Sequence, residues 1–265
     1  MEIGGGTRIF GVVGDPVKQV KTPTHINAIF ERRAVGIVCM PFHVSVTDFA
    51  SYWDGVKGIK NVVGFGVTIP HKRQAMELCD SLGAGAKRTG VVNVVRRRLD
   101  GGFHGENFDG LSFVKGLIAQ GFDLRGQNVF MTGAGGAATA ISFALLDAGI
   151  NSLSIHNRTS DKAVNLMTAL RDGTGASNVR VVSDFIPSAS LVINATSLGM
   201  EEDDALPVDP DQLDSTQIVA EVVAKPEITK LLRAAESIGC PIHSGIHMIT
   251  NQMDIMADFI TGDQP

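Results

Sequence analysis

Short apolar runs of strand length alternate with helix-length segments along nearly the whole chain, the pattern of sheets flanked by crossover helices. Up to about residue 104 it predicts strands at 8–13, 35–44 and 62–68 and helices at 22–33 and 46–59. A further helix is expected after Pro70, because proline suits a first helical turn, and two short strands at 91–97 and 101–104 close this half. From Leu111 the rhythm turns regular: a helix, a strand at 128–132, a helix at 136–148, a strand at 152–156 and a helix at 161–171. Strands at 179–182, 191–195 and 217–223 and a helix at 227–238 complete a nucleotide-binding pattern. The last helix-like segment, 248–260, follows the final strand and is expected to cross back onto the first half. The class is α/β with parallel sheets, and 265 residues leave room for two domains.

Composition narrows the functions open to such a fold. Hydrophobic residues make up 44% and charged residues 19%, and no apolar run approaches the roughly 18 residues of a membrane span. The net charge of -5, from 23 basic and 28 acidic residues, gives no nucleic-acid footprint. The one short basic run, Arg96, Arg97 and Arg98, reads as a solvated strand end. Cys39, Cys79 and Cys240 lie far apart without CxxC spacing, which fits a reduced, cytoplasmic setting, and the first residues have neither the basic start nor the apolar stretch of a secretory signal. No metal site is expected, since the seven histidines are scattered and Gly245 interrupts the nearest helical pair, His243 and His247. The expected partners are small molecules, and the expected assembly a monomer or homodimer.

The strand "NVFMT" runs into Gly133, Ala134, Gly135, Gly136, Ala137 and Ala138, a GxGxxA dinucleotide fingerprint in strand–turn–helix context. The first glycine permits the tight turn, the second lets backbone approach a pyrophosphate, and amides at the helix start face the phosphates. The next strand ends at "LSIH", where an NAD-selective protein usually carries an acidic residue; here Asn157, Arg158 and Thr159 follow. A guanidinium at Arg158 can hold a 2′-phosphate by charge-assisted bonds, with Lys162 adding charge, so the expected cofactor is NADP. The alternative reading makes Thr159 or Ser160 an N-cap and Arg158 a surface residue.

Eight motifs, in order, resemble those of the shikimate dehydrogenase family: "GDPVKQVKTPTHIN", "FGVTIPHK", "GVVNVV", "GENFDG", "GAGGAA", "NRT", "NATSLGM" and "GIHMITNQ". The resemblance implies a discontinuous α/β substrate domain, 1–106 with 243–265, a Rossmann NADP-binding domain at 107–242, and an active site in the cleft between them. It implies Lys72 as the catalytic lysine, Asp109 as its carboxylate partner, and Thr22, Thr68, Asn93 and Gln252 as substrate contacts. Cofactor contacts are implied at Gly133, Ala134, Gly135, Gly136, Ala137, Asn157, Arg158, Thr159, Lys162, Thr196, Val222 and Gly245. It also implies NADP-dependent oxidation of a secondary alcohol on a small cyclic polyhydroxylated substrate, and a place in aromatic amino acid biosynthesis.

The chemistry explains the lysine–carboxylate pair. Oxidising an alcohol removes a hydride from carbon and a proton from oxygen, so a group must accept the proton and return it in reverse. A lysine near a carboxylate does both, because desolvation lowers its pKa and the neighbouring charge tunes it. Departures from the family cluster at the substrate-carboxylate end, where two serines and a tyrosine are usual and Val20, Thr22 and Ala224 stand instead. Phe108 replaces a threonine and Gly66 an asparagine. The reaction type survives these changes; the substrate, shikimate, quinate or a related polyol, stays open. An NADP-binding sensor with the same fold and a methylenetetrahydrofolate-type dehydrogenase are the competing readings, the first opposed by Lys72 and Asp109 and the second by the motif order.

Overall fold

The computed structural model describes residues 2–262. The chain divides into two compact units: one holds the residues up to Phe108 and those from Gln252 onward, the other is Asp109–Asn251.

The first unit runs β1 (Arg8–Gly14), α1 (Thr22–Arg32), β2 (Ile37–His43), α2 (Phe49–Gly58), β3 (Val62–Val67), α3 (Lys72–Leu78), β4 (Ser81–Leu82), α4 (Ala84–Thr89), β5 (Val94–Arg97) and β6 (Phe103–Glu106). Its six strands order β2-β1-β3-β5-β6-β4. β1 pairs parallel with β2 and β3, but β5 runs antiparallel to both β3 and β6, so the sheet is mixed where the alternation predicted parallel pairing. The cause is the tight turn between β5 and β6, in which Arg98 N–H donates to Gly102 O (2.8 Å) around Gly101 at φ +87°; so short a connection joins only antiparallel strands. Phe49, Trp53, Phe65 and Phe103 form the aromatic core, with the Trp53 ring edge-on to Phe65 at 5.0 Å and to Phe103 at 5.3 Å.

Arg97 corrects the reading of the basic run as a solvated end. Its guanidinium is half-buried over the Phe103 ring (4.7 Å) and donates to the carbonyls of Val56, Lys57, Ile59, Val62 and Gly101, five acceptors at 2.6–3.3 Å. It thereby satisfies orphan carbonyls at the C-terminal end of α2. Pro70 lies before the N-cap His71 rather than in the first turn of α3, in a turn closed by His71 N–H to Thr68 O (3.0 Å). β4 and α4 were not legible in the small, polar stretch "SLGAGAKRT" because a partner distant in sequence shapes them. The Glu106 carboxylate accepts from Ala86 N–H (2.7 Å), and a Cβ at Gly85 would lie 2.7 Å from that same oxygen.

The second unit runs α5 (Asp109–Ala119), β7 (Asn128–Thr132), α6 (Gly136–Asp147), β8 (Ser152–His156), α7 (Ser160–Thr174), β9 (Val179–Val181), β10 (Leu191–Asn194), β11 (Ile218–Glu221), α8 (Lys230–Ile238) and β12 (Ile242–His243). The final helix, α9 (Ile246–Thr261), starts in this unit and ends in the first, where Arg33 meets Asp254 and Asp258 at 3.0 and 2.6 Å. All pairings in this sheet are parallel, and its order, β12-β11-β10-β7-β8-β9, is the doubly wound Rossmann order with β7 first. Both faces are covered: Met131 belongs to the cluster with Ile141, Leu153 and Leu166, its neighbour Phe130 to the one with Val192, Val219 and Leu232. α8 begins at Lys230 rather than at 227, capped by Thr229, whose hydroxyl accepts from Leu232 N–H (3.2 Å). His243 pairs with Ala220 across β12 and β11, so the segment from 243 to 251 packs with the Rossmann unit, whereas the sequence reading assigned it to the first domain.

Among the described residues no helix is long and apolar enough to cross a membrane, and no group of three or more His, Cys, Asp or Glu side chains is arranged to hold a metal ion.

Candidate active site

In the first unit, three of the sequence-predicted residues meet at one corner. β3 ends at Val67, whose N–H donates to Asn93 O (2.8 Å), and the next residue, Thr68, donates its N–H to Val13 O (3.0 Å). Lys72 opens α3, and its carbonyl accepts from Val92 N–H (2.9 Å), which ties the lysine's turn to the segment that carries Asn93 into β5. The Asn93 side chain is buried and accepts from Phe108 N–H (3.1 Å). Thr68, Lys72 and Asn93 therefore lie together at the C-terminal end of β3. Thr22 is the first residue of α1, behind the N-cap Lys21, and Val20 precedes it in a turn closed by Val20 N–H to Val17 O (3.0 Å). Gln252 is the first residue of α9 to belong to this unit.

Two residues the sequence reading passed over hold this corner. His71 is buried, stacked face to face on Phe49 (centroids 4.3 Å apart, 5° between planes), and its Nε2 meets Val44 O at 2.8 Å. It anchors the turn in front of Lys72. Glu106 accepts from Ala86 N–H and Asn107 N–H (2.8 Å), and its carbonyl accepts from Asn93 N–H (3.0 Å). The signal available was position within a motif: His71 is the third residue of "IPHK" and Glu106 the second of "GENFDG".

In the second unit the predicted cofactor residues line the C-terminal ends of the parallel strands, where open α/β sheets bind ligands. Gly133 follows β7 at φ +116°, and a Cβ there would lie 2.7 Å from Ala195 O, so only glycine makes this turn. Ala134 leads to Gly135, the N-cap of α6, and to Gly136, its first residue, followed by Ala137. A Cβ at Gly135 or Gly136 would meet nothing within 4 Å, so the space beside this helix start is open. An amide-lined helix start with room in front of it fits a pyrophosphate. After β8, Asn157 Nδ2 donates to Thr159 O (2.8 Å), shaping a turn in which Arg158 is exposed, and Lys162 follows in the first turn of α7. Thr159 is the N-cap of α7 but makes no side-chain cap bond, so its hydroxyl is not committed to that role. Thr196 follows β10, Val222 and Ala224 follow β11, and Gly245 follows β12, where a Cβ would strike the backbone of Val222. Asp109 is the first residue of α5 and buried, at the helix end that favours a carboxylate's charge.

Fold and site define a dinucleotide-binding α/β protein with a second, mixed-sheet unit. The model described as the shikimate dehydrogenase substrate binding domain matches residues 12–95, and that described as shikimate / quinate 5-dehydrogenase matches residues 117–200. The shikimate dehydrogenase (NADP(+)) of Methanosphaera stadtmanae is 32% identical over 270 residues, covering 99% of this chain and 94% of its own length. A shikimate dehydrogenase solved in complex with NADP+ superposes with a TM-score of 0.93 at 28% identity, over 100% of this chain and 93% of the other. The ligand-free 5-ketofructose reductase of Gluconobacter sp. strain CHM43 superposes at 0.90 and 28% identity, over 98% of this chain and 95% of its own. The chain belongs to the shikimate dehydrogenase family.

Proposed function

We propose that Lys72 moves the proton at the substrate hydroxyl, that Asp109 is its carboxylate partner, and that Thr68, Asn93, Gln252 and Thr22 receive the other polar groups of the substrate. The chain is an NADP-dependent oxidoreductase of the shikimate/quinate class, acting on CH–OH groups, and the pathway of shikimate dehydrogenases is aromatic amino acid biosynthesis. The observation that carries the proposal is the corner joining Thr68, Lys72 and Asn93, because proton transfer needs a titratable donor within reach of groups that orient the alcohol. Bound NADP+ supplies the hydride acceptor; the protein's part is to hold both reactants and manage the proton. Oxidation leaves the alcohol proton on the neutral Lys72 amine, which returns it to the carbonyl oxygen in the reverse direction. Asp109 is the carboxylate partner in this proton transfer, and Asn93 and Thr68 orient the hydroxyls beside it. Gly135 and Gly136 would receive the pyrophosphate, Asn157, Arg158, Thr159 and Lys162 the adenosine 2′-phosphate end, and Thr196, Val222 and Gly245 the nicotinamide end. Three free cysteines support a reducing, cytoplasmic setting, and the active species is taken to be a monomer or homodimer.

A second reading concerns the substrate alone. Val20 and Ala224 offer no side-chain donor where the family pattern carries hydroxyls, and a neutral polyhydroxy ketone needs none; 5-ketofructose reductase is among the structural neighbours. A screen of cyclic hydroxy acids and neutral polyols with NADP+, followed by NADPH absorbance, tests both readings. Shikimate or quinate as the best substrate supports the first, a neutral polyol supports the second, and turnover of none of them overturns the proposed roles.

A further inference from the structure

A fully buried carboxylate sits inside the Rossmann unit. Glu221 ends β11, is wholly buried, and stands in the run "VAEVVA" where every neighbour is apolar. A buried carboxylate persists only where hydrogen bonds replace its water. One oxygen accepts from Asn194 Nδ2 (2.9 Å), the other from the Thr229 hydroxyl (2.6 Å). These bonds extend a directed chain. Thr229 itself accepts from Leu232 N–H in the first turn of α8. On the other side, Asn194 Oδ1 accepts from both Thr196 N–H (3.1 Å) and the Thr196 hydroxyl (2.6 Å), while Asn194 Nδ2 also donates to Leu198 O (2.9 Å). The Thr196 hydroxyl in turn accepts from Leu198 N–H (3.1 Å).

The chain thus pins the turn after β10 to the start of α8 through one carboxylate. The backbone repeats the connection, for Val222 N–H donates to Asn194 O (3.1 Å) and Gly245 N–H to Val223 O (3.1 Å). Thr196, Val222 and Gly245 all sit on strand ends bound by this network. In a Rossmann sheet the dinucleotide straddles the switch point between the first and fourth strands, here β7 and β10. With Arg158 at the end of β8 marking the adenosine side, β10, β11 and β12 bear the nicotinamide side.

We infer that Glu221 is a positioning residue for the nicotinamide half of the cofactor, acting through Asn194 and Thr196, and that it leaves the adenosine half untouched. The inference rests on the cofactor-contact assignment above. In Glu221→Gln, an amide nitrogen facing Asn194 opposes donor to donor; turned the other way, it deprives the Thr229 hydroxyl hydrogen of its acceptor.

Calorimetric titration of the full chain with NADP+ and with adenosine 2′,5′-bisphosphate, which carries only the adenosine end, tests this. The unsubstituted chain binds both. Glu221→Gln is expected to weaken NADP+ roughly tenfold or more while changing the bisphosphate less than about twofold. Glu221→Asp, which keeps the charge but withdraws it by one methylene, should give the same split to a lesser degree and serves if the Gln variant does not fold. NADP+ affinity unchanged in both variants, or both ligands weakened alike, overturns the inference. Should the unsubstituted chain bind NADP+ but not the bisphosphate, the contact assignment at Arg158 fails first.

Discussion

The two units carry their candidate residues in opposite ways. In the Rossmann unit most of the work falls to backbone: Gly133 holds a conformation closed to other residues, Gly135 and Gly136 leave the space beside the helix start open, and Gly245 packs against Val222. In the first unit, side chains on an otherwise ordinary mixed sheet do it, with the backbone of Thr68 donating to Val13 and that of Lys72 and Asn93 accepting from Val92 and Val67. The difference teaches where function can drift. A backbone-built site loses its ligand if one glycine changes, whereas a side-chain site can keep its reaction while exchanging residues at its edge.

The largest effect expected separates the two kinds of site directly. Lys72→Ala or Asp109→Ala should lower kcat by about 10²- to 10⁴-fold, the worth of general acid–base assistance, and leave NADP+ affinity nearly unchanged. Steady-state kinetics with calorimetry checks both halves of this expectation. A Lys72→Ala protein that keeps most of its turnover would remove the lysine from proton transfer.

Next comes the edge of the side-chain site. Each hydrogen bond to a carboxylate contributes roughly 1.5 to 3 kcal/mol, so lacking two at Val20 and Ala224 would cost about 3 to 6 kcal/mol if they added, or about 10²- to 10⁴-fold in kcat/KM for shikimate. Lys21 and Lys225 flank these positions, and one of them swinging in as a point charge would make the loss partial. Val20→Ser with Ala224→Tyr should raise kcat/KM on shikimate and lower it on the substrate the native site fits. Turnover of shikimate by the unsubstituted chain as efficient as that of relatives with the serines and tyrosine would void the argument.

The same contrast decides what could be read in the sequence. Strands 128–132 and 152–156 were legible to the residue, because a parallel strand buried on both faces is a short apolar run bounded by turn residues. β4, α4 and the antiparallel direction of β5 were not, since they come from Glu106 and from the turn at Gly101 rather than from any periodicity. Within the candidate site, Lys72, Asn93 and Gly133 stood out as motif residues. His71 and Glu106 lay in those motifs unremarked, because what marks them is contact with Phe49, Val44 and Ala86, partners at least 20 residues away. Glu221 did leave a trace, a carboxylate within an apolar strand, but its meaning depends on Asn194 and Thr229.

A smaller effect tests a side chain proposed to serve the cofactor in the Rossmann unit. Arg158→Ala should weaken NADP+ by about ten- to a hundredfold, the equivalent of one charge-assisted bond, and leave NAD+ affinity where it was. Competitive titration with both cofactors measures this. Equal losses for both would mean that Arg158 contacts something other than the 2′-phosphate.

The smallest effect concerns stability, and belongs to the Rossmann unit through its edge strand. His243 is buried on β12, its ring edge-on to Phe113 (5.3 Å) and stacked on His247 (5.1 Å), with Nδ1 against Gln120 Oε1. Burial, and then the neighbouring His247, push its pKa down from 6.5 to about 4. A base whose folded pKa is depressed contributes stability fully present above 6.5 and lost as pH falls toward 4, because the unfolded chain takes up the proton first. Between pH 7 and pH 5 the loss is about 2 kcal/mol. Glu221 works the other way, since burial raises its pKa and its contribution fades as pH rises through the folded value. The total pH dependence therefore mixes opposing slopes, and the difference between unsubstituted protein and His243→Gln isolates the histidine. Thermal midpoints taken from pH 7 to pH 5 should fall more steeply for the unsubstituted chain, and parallel curves would show that His243 takes up its proton equally well in the folded state.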